Sequence, residues 1–194
     1  MGFHISLLPS GRCEIMSEYP PGSVEDRDTL GKMSMEKLLD YFFLQIRNLW
    51  RVDGLYFLGI EKKFGTNAAT EIDASVWDIM ARIEARSLQR MFNLGENPDL
   101  PKIIDLLRLS SWALDQPLKT IEVDGNRAIL CIDRCRTQEA RLNKGLSEFP
   151  CKKVRFGYLR NFAETLNPKA EVNCLICPPD KHPRDFWCKW EFTL

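Results

Sequence analysis

The stretch KTIEVDGNRAILCID, residues 119–133, decides the fold, because there the apolar spacing changes from the period of a helix to the alternation of a strand. KTIEV and RAILCID flank Asp124-Gly125-Asn126, and Asp-Gly between two alternating runs is a hairpin signal. Upstream of this switch the pattern is helical. Ser34 stands as N-cap to MEKLLDYFFLQIRNLW, and a second helix, or the same one after a bend near Asp53-Gly54, runs on to Gly65 as a C-terminal cap. Its GLYFLGI segment is apolar almost all round, which predicts burial on most sides. A long helix then starts at Thr66 or Asn67 and reaches about Asn93. Ile72, Val76, Ile79, Ile83, Ser87 and Met91 make one stripe on it, and Trp77, Ala81, Leu88 and Phe92 a second, as expected of a central rod. A shorter helix over 100–114 follows the Asn97-Pro98 start signal.

Downstream of the hairpin, two helices are expected, from Thr137 to about Gly145 and from about Lys152 to Leu166. The strands AEVNCLIC and DFWCKWEF follow. The order predicts an α+β fold: an N-terminal helical layer packed on a mostly antiparallel sheet with two intervening helices.

At 194 residues and 44% hydrophobic content the chain can bury one core. A single domain is therefore expected over 34–194, behind a flexible arm over 1–33 that carries Pro9, Gly11, Pro20, Pro21 and Cys13. Twenty-seven basic residues balance 27 acidic ones, which argues against nucleic-acid and membrane-surface partners. The balance hides a local excess, since seven basic residues between Arg136 and Arg160 face two acidic ones, forming either a solvated face or a seat for a small anion. No charged leader with a long apolar run opens the chain, and nowhere do eighteen apolar residues follow one another. A cytoplasmic protein is expected, and its seven cysteines are then free thiols or metal ligands.

Pairing the last two strands as a hairpin with 174 opposite 188 and 172 opposite 190 puts Cys174 and Cys188 side by side on the buried face. Cys177 points the other way unless Pro178-Pro179 curls it back. Cys135 and Cys151 each precede a helix, where unpaired N–H groups and Arg136, Lys152 and Lys153 favour the thiolate; these two are the candidate nucleophiles. Cys131 reads as a packed strand residue. Cys135, Cys151, Cys174, Cys177 and Cys188 together make a metal site, for zinc or alternatively iron, or a reduced thiol cluster. His182, between Lys181 and Pro183, reads as an exposed loop residue rather than a ligand. Asp53, Glu84 and Arg136 are candidate ligand-binding residues, the two acids also reading as buried carboxylates paired with a basic or backbone partner. Phosphate-cradling glycine loops, HExxH and GxSxG are absent from the sequence.

LWRVDGLYFLGIEKKFGTNAATEID, CRTQEARLNKGLSEFPCKKV and WCKWEF resemble a group of bacterial cytosolic proteins allied to the L-2-amino-thiazoline-4-carboxylic acid hydrolase-like family. More distantly the layout is similar to the 4-vinyl reductase-type small-molecule-binding domain. The first likeness implies cysteines before helices as the site, at Cys135 and Cys151; in an enzyme built on them, Asp53 or Glu84 is the candidate acid/base. The second implies an apolar pocket between helices and sheet. Both leave two functions open: a small-molecule-binding or sensing domain with a cysteine-rich, metal-binding site, or a cysteine-dependent hydrolase of a small cyclic amide or thiazoline. A homodimer is the expected assembly.

Overall fold

The computed structural model describes residues 22–194, and Cys13 with the glycine and prolines at 9–21 lies outside them. The chain divides into two compact units between Phe42 and Phe43. In the first, α1 (Val24–Gly31) opens on a capping box in which the Ser23 hydroxyl accepts from the Asp26 N–H and the Asp26 carboxylate from that of Ser23. A helix here replaces part of the expected arm. Its sequence has no apolar face to signal it, and only the Ser-x-x-Asp cap betrays it.

Helix α2 (Met35–Phe64) starts with the Lys37 N–H on the Ser34 hydroxyl and is one unbroken element of 30 residues. Gly65, at φ 85°, turns the chain straight into α3 (Thr66–Met91). The GLYFLGI segment is not buried on most sides: Phe57 is, while Leu55 and Tyr56 are 65% and 72% exposed. The two stripes of α3 also part company. Trp77, Ala81 and Ala85 are buried against α7 (Lys152–Leu166), whereas Val76 and Ile79 stay about half exposed. The central rod is therefore α7, which packs on α3 on one side and on the sheet on the other, with Tyr158, Leu159 and Phe162 fully enclosed. Gly157 permits this approach, since a Cβ there would overlap the Asp78 carboxylate. The expected 100–114 helix breaks into α4 (Leu100–Arg108) and α5 (Ser111–Asp115), because the Ser110 hydroxyl accepts from the Ala113 N–H and starts a new cap.

The sheet has four strands, β1 (Leu118–Asp124), β2 (Arg127–Arg134), β3 (Glu171–Ile176) and β4 (Cys188–Thr193), in the order β1-β2-β4-β3 with every pairing antiparallel. Gly125 at φ 55° closes the β1–β2 hairpin as the sequence indicates. Helix α6 (Arg136–Leu142) and α7 lie between β2 and β3, so the fold is α+β with its helical layer packed on an antiparallel sheet. The register of the last two strands differs from expectation by two residues: Cys174 faces Trp190 and Val172 faces Phe192. Residues 185–187 stay out of the strand, the Trp187 N–H donating instead to the Ile132 carbonyl, and a bulge follows Cys174. An even slip preserves the faces, so Val172, Cys188, Trp190 and Phe192 still point into the core. Among the described residues no helix is long and apolar enough to cross a membrane.

Candidate functional site

Within the second unit, a cavity of about 430 Å³ opens between α2, α3, α5 and α6. Its lining carries Arg47, Arg51, Arg136 and Lys144 around Asp115, together with the rings of Trp50, Phe57 and Phe149. A separate small recess of about 30 Å³ shares Trp50, Asp53, Asp73, Thr137 and Phe149 with it and is otherwise lined by Trp112, Arg155 and the cysteines Cys135, Cys151 and Cys188, among others. Cavity and thiols thus lie on either side of a shared wall.

Large aromatics hold α2 over this space. The Trp50 ring stacks on Trp77 with centroids 4.6 Å apart and planes within 2°, and the Trp50 indole N–H donates to the Ser111 carbonyl at 3.0 Å. The Trp77 indole N–H donates to Asp53 Oδ1 at 3.1 Å. At the far end of the helix, Arg141 donates two hydrogen bonds to Glu61, at 2.9 and 3.0 Å, which holds the Glu61 carboxyl below its usual range.

Asp53 and Asp73 stand together at the floor. Burial pushes both carboxyls up; in Asp73 the neighbouring Asp53 charge adds to it and the value reaches about 7, with Arg155 and the Trp77 N–H pulling the other way. Arg155 is 7% exposed and boxed by aromatic rings, its Cζ 4.3 Å from the Trp112 centroid and 5.1 Å from that of Tyr158. Among the described residues no carboxylate pairs with it, and its Nη1 is buried without a hydrogen-bond partner. Neither Asp73 nor Arg155 stands out by residue type. The signal available was spacing: Asp73 precedes Trp77 by one turn on the buried stripe of α3, and Arg155 follows Cys151 by one turn of α7.

The thiols gather around Cys177. Lys152 ties the loop after β3 to the start of α7, its N–H donating to the Pro178 carbonyl at 2.9 Å and its Nζ to the Asp180 carboxylate at 2.7 Å. That tie brings Cys177 Sγ to 3.5 Å from Cys151 Sγ, and Cys177 also interacts with the thiols of Cys174 and Cys188. Cys177 has been curled back, and it retains its proton because the three surrounding sulfurs and burial all favour the thiol. The Cys151 thiol is lowered by the hydrogen bond from Cys177, against burial, with help from Arg155 and from Gln138 Nε2 at 3.6 Å. Cys174 is lowered likewise by Cys177 and, beyond it, Lys152. Cys135 behaves otherwise: burial and the nearby Cys151 push it up to about 12, which outweighs its place at the start of α6. Cys131, on the opposite sheet face from Leu130 and Ile132, is also raised to about 12 by burial.

Of the other expected residues, Arg136 lines the cavity, 3.3 Å from Asp115. Glu84 lies away from the cavity lining, its two oxygens taken by the Ser111 N–H at 2.7 Å and the Tyr158 hydroxyl at 2.6 Å, so it is a structural carboxylate. His182 is not exposed: its ring packs on Trp187 and its Nδ1 lies 2.8 Å from the Pro183 carbonyl. All six described cysteines are free, and among the described residues no group of three or more His, Cys, Asp or Glu is arranged to hold a metal ion.

Residues 31–194 match DUF6125, a family of unknown function. The chain belongs to this family. No curated protein matches it.

The acid pair has a consequence for stability. A carboxyl whose value rises on folding stabilises the protein while protonated and loses that contribution as pH climbs through the folded value. Stability should therefore fall between about pH 4 and 7, and Asp73→Asn should flatten the decline. Urea midpoints measured across that range check this; an unchanged slope in the variant would refute it.

Proposed function

We propose that this protein is a small-molecule-binding or sensing domain, with a cysteine-rich zinc site beneath the ligand cavity. The observation that carries the reading is the aromatic-walled cavity, which shares Trp50, Asp53, Asp73, Thr137 and Phe149 with the recess lined by Arg155 and the thiols. Enclosed apolar walls with a few convergent polar groups suit one organic molecule of modest size. Six free cysteines among the described residues suit a reducing, cytoplasmic setting.

For zinc, the support is the donor set: a Cys-x₂-Cys pair, Cys174 and Cys177, meets Cys151 and Cys188 around one central sulfur. Tetrahedral Zn–S bonds of about 2.3 Å space sulfurs roughly 3.8 Å apart, close to the 3.5 Å between Cys151 and Cys177. The remaining sulfurs must close in to complete the shell. A second reading, a cysteine hydrolase with Cys151 as nucleophile, is favoured by the lowered Cys151 thiol at the cavity floor. The two readings assign Cys151 opposite duties, since a thiolate bound to structural zinc is not available to attack a substrate.

Metal analysis of protein purified without supplements should find about one zinc per chain, lost in Cys177→Ser together with cooperative unfolding. Metal-free protein that unfolds cooperatively would contradict the zinc site and leave the nucleophile reading. For the cavity, titration of intrinsic tryptophan fluorescence with small aromatic compounds should saturate at one site and weaken at least tenfold in Ala140→Phe, which narrows the mouth. Ligand response unaffected by that substitution would contradict the assigned cavity.

A further inference from the structure

Arg155 is a buried cation with a donor left over. Leaving a buried charged donor unmatched is costly, and the ring faces that surround it supply no acceptor lone pair. The nearest anions, Asp53 and Asp73, act on it only at a distance, and Asp53 is already occupied by the Trp77 N–H. The arrangement leaves room in the recess for one more acceptor. A ligand carboxylate supplies two, in the plane that a guanidinium matches.

Such a ligand brings a third carboxylate next to two others, with a single guanidinium between them. Three carboxylates cannot all stay ionised in a dry recess around one cation. One of them must take a proton, and a protonated carboxyl then donates its O–H to the incoming anion instead of repelling it. Other charged groups face the cavity: from α2 Arg47 and Arg51, from α5 Asp115, and from α6 and its approach Cys135, Arg136, Arg141 and Lys144. From the start of α7 comes Cys151 and from β4 Cys188, both lining the recess, while Tyr158 packs behind Trp112. Asp115 is paired with Arg136, Arg141 with Glu61, and Tyr158 donates to Glu84. Among the acids at the floor, the Asp53–Asp73 pair is left to carry the proton.

We propose that the floor of the cavity is a seat for the carboxylate of a small organic acid, held by the Arg155 guanidinium, and that the acid enters together with one proton taken up from solvent by the Asp53–Asp73 pair. This rests on the small-molecule reading above and names the ligand's chemical class. The charge of the lining fits it, because Arg47, Arg51, Arg136 and Lys144 outnumber Asp115 beside them and the excess draws an anion in before it is desolvated.

Benzoate and its neutral counterpart benzyl alcohol are the probes, titrated calorimetrically into the full chain at pH 6 and pH 8 in two buffers of different ionisation enthalpy. Benzoate should bind at least tenfold more tightly than benzyl alcohol at pH 6, and its affinity should fall about tenfold by pH 8, the change expected for one linked proton titrating near 7. Proton uptake at pH 8 should approach one per benzoate. Asp73→Asn should abolish the pH dependence, and Arg155→Gln should remove the preference for benzoate over benzyl alcohol. Benzyl alcohol binding as tightly as benzoate, or benzoate binding without proton uptake in the unaltered chain, overturns the seat but leaves the cavity's ligand-binding role standing. Failure of both probes to bind overturns both.

Discussion

The stacked pair Trp50–Trp77 is the contact on which the site depends. It joins α2 to the body of the second unit through two large flat rings, and each indole N–H is committed, one to the Ser111 carbonyl and the other to Asp53. Rings of this size space helices apart more widely than aliphatic side chains do, and the space beside them becomes the cavity. The stack also fixes the position of Asp53, since a carboxylate bonded to the Trp77 N–H cannot swing out to solvent. Spacing, wall and floor therefore come from one interaction.

Helix α7 supplies the other half. Its N-cap Cys151 and Arg155 lie on one face, because residues four apart are neighbours on a helix, and the Arg155 N–H closes the first turn on the Cys151 carbonyl at 2.8 Å. The ion pair of Lys152 with Asp180 draws the end of β3 to the same point and delivers Cys177. A helix enclosed by α3 and the sheet holds these groups rigidly, which a surface loop would not do.

Much of the architecture was legible in the sequence. The Asp-Gly turn, the helix start after Cys151 and the change of period at Lys119 each have a local cause, and each appears where expected. The burial of α2 was not legible, because apolar residues around a whole helix say nothing about how many sides are covered, and Leu55 and Tyr56 remain open. The register of β3 on β4 depends on how many residues the intervening loop retains, which alternation alone cannot count. The convergence of Cys151, Cys174, Cys177 and Cys188 was foreseeable from Cys-x₂-Cys and a helix start; the thiol states were not, since burial reversed the effect of position at Cys135. Asp73 and Arg155 looked like ordinary charged helix residues, and only three-dimensional packing shows that they face a recess.

The central claim is that the recess beside the aromatic cavity holds an arginine that takes an anion. A crystal structure of the protein grown with benzoate tests it most directly. The account predicts the carboxylate within about 3 Å of the Arg155 guanidinium, with the ring lying among Trp50 and Phe149. Benzoate held at the outer arginines, with Arg155 still unengaged and the recess closed, would contradict it.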